Sequence, residues 1–132
     1  MRHAELSSRA FTLYAALDRR DWDAFFAHTD PEVEWTPLDE NISYRGRDAL
    51  IAYFERQLAP WVELSLYLET IEFSEDEERM LTTARYTGRM QGSAKLISGR
   101  VSSVLQLRAG RFWRGEDYPD DDRAREALRW RE

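Results

Sequence analysis

Apolar residues recur every three to four positions over residues 4–19. Leu6, Ala10, Leu13, Tyr14 and Leu17 fall on one side and Glu5, Arg9, Asp18 and Arg19 on the other, which predicts an amphipathic helix. Asp21 then stands as an N-cap before a short second helix, about 22–28, carrying Trp22, Phe25 and Phe26. Asp30-Pro31 breaks that helix. Val33, Trp35 and Pro37 alternate with Glu34 and Thr36, the period of a short strand that the proline closes. Residues 38–46 read as loop, with Ile42 and Tyr44 in a small strand. A third helix over 47–58 presents Ala49, Leu50, Tyr53, Phe54 and Leu58 as a wide apolar stripe, and Pro60 ends it.

From Trp61 the period drops from 3.6 to 2. Val62, Leu64, Leu66 and Leu68 share one face, and the apolar phase then moves to Ile71 and Phe73. A one-residue slip of this kind predicts a bulge near Glu69-Thr70. After an acidic turn over 74–78, Met80, Thr82, Ala84 and Tyr86 line one face of the next strand. Gln91-Gly92-Ser93 turns the chain again. Residues 95–107 put Ile97, Val101, Leu105 and Leu107 on one face, with Ser98, Arg100, Ser102 and Gln106 on the other. Ala109-Gly110 is a tight hairpin into a last strand, 111–118. Pro119 and Asp120–Asp122 open a short final helix with Ala124, Ala127 and Leu128.

Helices gathered at one end and a strand meander at the other predict an α+β fold with an antiparallel sheet. Three helices must then cover one face of a kinked, curling sheet, an arrangement that leaves a cone-shaped hollow lined by large side chains. By strand parity, Trp35, Tyr86, Val101, Ser103 and Leu105 face the helices. Phe54, Leu58 and Trp61 sit where the third helix meets the sheet, Tyr14 comes from the first helix, and Trp113 joins if the last strand keeps its parity. These are the candidate ligand-binding residues.

Composition narrows the class. The 132 residues fit one domain, 1–132, able to fold without disulfides or metal. The absence of Cys removes zinc ribbons and thiol nucleophiles. A net charge of −6 argues against nucleic acid as a partner. No apolar run approaches the roughly 20 residues of a membrane helix, and Met1-Arg2-His3 leads straight into a mixed polar pattern without a leader. The expectation is a cytoplasmic protein that avoids membranes. His3 and His28 stand far apart and form no ligand spacing, so neither a metal nor another cofactor is expected. Aromatic residues make up 13% of the chain, enough to wall an apolar pocket as well as fill a core.

Several segments together resemble the SnoaL-like branch of the NTF2-like (nuclear transport factor 2) superfamily. They are Leu17-Asp18-Arg19-Arg20-Asp21-Trp22-Asp23-Ala24, Asp30-Pro31-Glu32-Val33-Glu34-Trp35, Tyr44 to Phe54 with its Gly46-Arg47-Asp48-Ala49 helix start, Ala109-Gly110-Arg111, Glu116-Asp117-Tyr118 and Arg125-Glu126-Ala127-Leu128. The resemblance implies a cone-shaped, curved antiparallel sheet covered by three helices, with a short C-terminal helix. It also implies a homodimer through the outer sheet face and a small-molecule ligand in the cone. Such a fold does not fix a reaction.

The ketosteroid isomerases of that superfamily use a carboxylate base with a Tyr and a protonated Asp. Those positions fall here at Trp35 or Thr36, at Leu13 beside Tyr14, and at Ser103, so that chemistry is not expected. An epoxide-hydrolase arrangement would need Arg85 or Arg100 inside, yet both share a face with Thr or Ser and are expected to point outward. The polyketide cyclases of the superfamily carry an acid on the last strand, which matches Asp117, next to Glu116. Desolvation at a cavity mouth would raise such a carboxyl and suit it as a general base. Asp117 and Glu116 are therefore the candidate catalytic residues of a cyclase- or isomerase-type enzyme, the alternative to simple binding of a small apolar molecule.

Overall fold

The computed structural model describes residues 2–38 and 40–129. Residue 39 of the predicted 38–46 loop, Met1 and residues 130–132 lie outside the described residues. Helix α1 (Arg2–Arg19) buries Leu6, Ala10, Leu13, Tyr14 and Ala16. It stops where Arg20 turns left-handed at φ 57°. The Asp21 N–H then reaches the Ala16 carbonyl at 2.9 Å, and the Arg20 N–H the Leu17 carbonyl at 3.1 Å, which satisfies the last turn. The Asp21 side chain caps α2 (Trp22–Phe26) by accepting from the Ala24 N–H at 3.2 Å.

Helix α2 is shorter than the sequence suggests, because β1 (Thr29–Thr36) already begins at Thr29. Pro31 is tolerated inside β1 because pairing with the neighbouring strand is interrupted between Thr29 and Glu34, so no ladder bond is lost there. The two-residue β2 (Tyr44–Arg45) pairs with β1, and α3 (Arg47–Leu58) buries Leu50, Tyr53 and Phe54. Strands β3 (Trp61–Phe73), β4 (Arg79–Met90), β5 (Ile97–Arg108) and β6 (Arg111–Tyr118) form the expected antiparallel meander. Ala109 and Gly110 turn the last hairpin with φ 54° and 76°, as a two-residue hairpin turn requires.

The six strands form one curved, unclosed sheet in the order β2-β1-β6-β5-β4-β3. It is mixed and not wholly antiparallel, since β1 runs parallel to β6. The periodicity of one strand carries no information about its partner's direction. The register slips between Leu68 and Thr70, where the phase shift placed a bulge. Two further slips were not legible. One, between Trp61 and Glu63, turns Trp61 inward and leaves Val62 51% exposed. The other lies between Gln106 and Leu107 of β5 and displaces Trp113 of β6.

Helices α1–α3 lie on the concave face of the sheet, over the main core of Leu6, Leu13, Phe25, Leu50, Phe54, Met80 and Leu105. Helix α4 (Asp121–Arg129) lies on the convex face instead, where Ala124 and Leu128 cover Leu81 and Val104. Asp121, in its first turn, accepts from Ser102 Oγ and pairs with Arg100 at 3.2 Å. Val104 shares the convex face with Ser102 and Gln106 but is only 4% exposed, because α4 covers it. The amphipathic stripe of Ala124 and Leu128 was readable; what it covers was not.

Candidate functional site

Between the three helices and the concave face lies a chamber of about 110 Å³. Leu13, Tyr14 and Leu17 of α1 form one wall, and Phe25, Trp35 and Phe54 of α2, β1 and α3 a second. The sheet supplies Leu66, Ala84, Val101, Ser103 and Asp117 from its four long strands. Among the described residues, Tyr14 and Asp117 are the only titratable side chains in this wall, and no arginine or lysine lines it.

The polar corner follows from register. Ser103 of β5 sits directly opposite Asp117 of β6, and Trp35 of β1 lies beside Gly115, two residues earlier on β6. Ser103 Oγ donates to Asp117 Oδ1 at 2.7 Å and Trp35 Nε1 donates to Oδ2 at 3.4 Å. Burial pushes the Asp117 carboxyl above the usual carboxylate range, while these two donors pull it back in part. Tyr14 shares a hydrogen bond of 2.7 Å with Thr82 Oγ1, and burial pushes its phenol up to about 12. It therefore stays protonated at neutral pH.

Glycines of the sheet make room for the rings. A methyl group on Gly115 would lie inside contact distance of Trp35 Cε3 and Cζ3 and 3.0 Å from Cδ2. Gly88 likewise carries the Trp61 ring and Gly99 the Tyr86 ring. Each ring thus lies against the backbone with no side chain beneath it.

Of the residues singled out in the sequence, Tyr14, Trp35, Phe54, Val101, Ser103 and Asp117 line the one chamber. Leu105 is 1% exposed, in the core outside the wall. Leu58 borders a separate narrow crevice with Leu17, Leu64 and Leu66. Trp61 and Tyr86 meet edge to face at 6.0 Å beyond the chamber wall. Two positions need correction. Glu116, one residue from Asp117, faces the convex side toward Val104 and Tyr118, since neighbours in a strand point to opposite faces. Trp113 would share Asp117's face by parity, but the bulge turns it to the convex side, where it lies between the Arg108 and Arg114 guanidiniums at 4.4 and 4.6 Å.

Sequence reasoning missed Leu13, Leu17, Phe25, Leu66 and Ala84 as wall residues, and Thr82 as the partner of Tyr14. The spacing of Leu13, Tyr14 and Leu17 on one helix stripe was the available signal for α1; Phe25 offered none. Arg85 and Arg100 do lie on the convex face, with Glu69 3.0 and 3.5 Å away respectively. Among the described residues no cluster of His, Asp and Glu is arranged to hold a metal ion. No helix among them is long and apolar enough to cross a membrane.

A family model described as a SnoaL-like domain matches residues 10–115, ending two residues before Asp117. Solved structures share the fold over nearly the whole chain. An NTF2-like protein of unknown function from Burkholderia pseudomallei is 21% identical, with 94% of this chain and 97% of that one covered and a TM-score of 0.74. Bal32a, from a soil-derived mobile gene cassette, is 23% identical, with 99% and 100% covered and a TM-score of 0.75. A protein with a ketosteroid isomerase-like fold from Catenulispora acidiphila, solved in complex with trimethylamine, is 13% identical, with 86% and 85% covered and a TM-score of 0.72. No curated protein matches the chain.

Proposed function

Because the chain belongs to the SnoaL-like domain family, we propose that it binds one small, mostly apolar organic molecule between α1–α3 and the concave sheet face. One observation carries this reading. The chamber wall is aromatic and aliphatic except for the Ser103 hydroxyl and one carboxyl, and that carboxyl is held in place from two other strands by Ser103 and Trp35. Tyr14, Trp35, Phe54, Val101 and Ser103 are its contact residues, with Asp117 as its polar handle. A protein of the same fold from Catenulispora acidiphila was solved in complex with trimethylamine, which supports a small organic guest for this fold. Native mass spectrometry of freshly purified protein tests the reading. A retained molecule that is absent from Gly115→Ala, where the Trp35 ring is driven into the chamber, is the expected result. Failure of every small organic compound in a broad set to raise the melting temperature would refute it.

A second reading has its own support. The raised Asp117 carboxyl would act as a general base in a cofactor-free cyclase- or isomerase-type enzyme, taking a proton from the carbon beside a carbonyl. Asp117→Asn would then abolish turnover of an identified substrate while leaving the fold intact; surviving turnover would end this reading. Glu116 has no part in it, as it faces the other side of the sheet.

The proposal extends to a cytoplasmic homodimer. Thr87, Ser98 and Tyr67 lie on the part of the convex face that α4 leaves open and offer the surface for pairing. Light scattering at one chain mass would remove the dimer, and fractionation of the producing cells tests the compartment.

A further inference from the structure

The chamber combines two features that conflict in an empty pocket. Its wall is almost wholly apolar, yet it holds a carboxyl with no cationic neighbour. Both hydrogen bonds to Asp117 are donations, from the Ser103 hydroxyl and the Trp35 indole N–H, which is what an ionised carboxylate needs. A carboxylate beside apolar rings, without a counter-charge, is costly to maintain. The same space is bordered by the rings of Tyr14, Phe25, Trp35 and Phe54. Trp35 packs its ring against the Gly115 backbone and borders the chamber. Aromatic faces attract a cation, and more strongly once it has lost its water.

We propose that the guest of this chamber is a small methylated ammonium cation, its charge facing Asp117 and its methyl groups against the four rings. This inference rests on the reading that the chamber binds a guest at all. Size supports it: an apolar cavity of about 150 Å³ accepts benzene, and the space here is about 110 Å³. A guest of roughly half a dozen heavy atoms therefore fills the space between the helices and the sheet. The cost of shedding water sets the degree of methylation. A trimethylammonium ion has one N–H for Asp117, and a tetramethylammonium ion has none. A primary ammonium keeps three strongly hydrated N–H groups and offers the rings a single methyl, so it gives up more water on entry and covers less of the apolar wall.

Isothermal titration of the full chain with trimethylammonium, tetramethylammonium, methylammonium and neutral tert-butanol tests this. The two methylated cations should bind at least about tenfold more tightly than tert-butanol and than methylammonium. In Asp117→Asn the advantage of the cations over tert-butanol should shrink several-fold, leaving what the rings contribute. Gly115→Ala should block both classes, and its fold is checked by circular dichroism. Tert-butanol binding as tightly as the cations, or an undiminished cation advantage in Asp117→Asn, overturns the ammonium assignment and leaves the chamber reading standing. Cation binding that persists in Gly115→Ala is attraction to an acidic surface and also overturns it. If neither cation nor alcohol binds, the chamber reading itself falls, and this inference with it.

Discussion

Gly115→Ala tests the architecture of the chamber most directly. The new methyl group would stand 3.0 Å from Trp35 Cδ2 and much closer to Cε3 and Cζ3. Carbon atoms pack best at about 3.5–4.0 Å, so the ring must retreat by at least about 0.5 Å at Cδ2 and by more than twice that at Cε3 and Cζ3, which lie nearest the new methyl. Movement toward the sheet is blocked by backbone. The ring therefore swings into the chamber, where about 110 Å³ is free to receive it. An indole displaced by about 1 Å sweeps tens of cubic ångströms, a large share of that space. The Trp35 Nε1 bond to Asp117, already 3.4 Å long, is broken by the same motion.

Two effects of different size follow. Overpacking of this kind costs about 1–3 kcal/mol. In a chain of 132 residues that lowers the melting temperature by roughly 3–10 °C. The loss of guest binding should be much larger in relative terms, because the guest and the displaced ring compete for one volume. Thermal melts followed by circular dichroism measure the first effect, calorimetry with a chamber ligand the second, and tryptophan emission reports the new ring environment. An unchanged melting temperature together with unchanged binding would mean that Trp35 does not lie on Gly115, and the chamber as described would be wrong.

Asp117→Asn has a pH signature. Burial raises the carboxyl in the folded chain, so the folded state holds this proton more tightly than the unfolded state does. The associated stability is complete below the unfolded value and is lost as the pH rises through the folded one. Without a guest, the melting temperature of Asp117→Asn minus that of the native protein should therefore grow from about pH 4 toward neutrality. The depressed carboxyls of Asp30 and Asp121 act in the opposite sense but are common to both proteins and cancel in the difference. A flat difference would show that Asp117 is not desolvated. Tyr14→Phe removes the partner of buried Thr82 and should cost about 1–2 kcal/mol in urea denaturation, a loss absent if the 2.7 Å contact is not a hydrogen bond. Leu128→Ala should cost about 2–4 kcal/mol, because Leu128 seals Leu81 and Val104 on the convex face; a cost below about 0.5 kcal/mol would mean that α4 does not pack there.

How far the chamber was legible depends on which physical signal placed each residue. Helix stripes, strand alternation and the Leu68–Thr70 slip are local and survive in sequence, so the order of elements and the inward set of Trp35, Val101 and Ser103 could be read directly. Asp117 was found through a resemblance on the last strand, but its inward aim is fixed only by pairing, where Ser103 stands across from it. Trp113 shows the failure of the same logic. One bulge opposite Gln106 and Leu107 reverses its side without any mark in the local pattern, since both faces of β6 carry large residues there. Leu58, Trp61 and Tyr86 lie outside the chamber wall, because their reach depends on where α3 crosses the sheet and on the bulge beside Trp61. The most informative signal was one that strand periodicity hides. Gly88, Gly99 and Gly115 weaken the strands that contain them, yet each stands beneath a ring of the concave face. A glycine inside a long strand was thus the sequence's own marker for where an aromatic side chain packs against the backbone. In Gly115 it marks the ring that holds the acid of the candidate site.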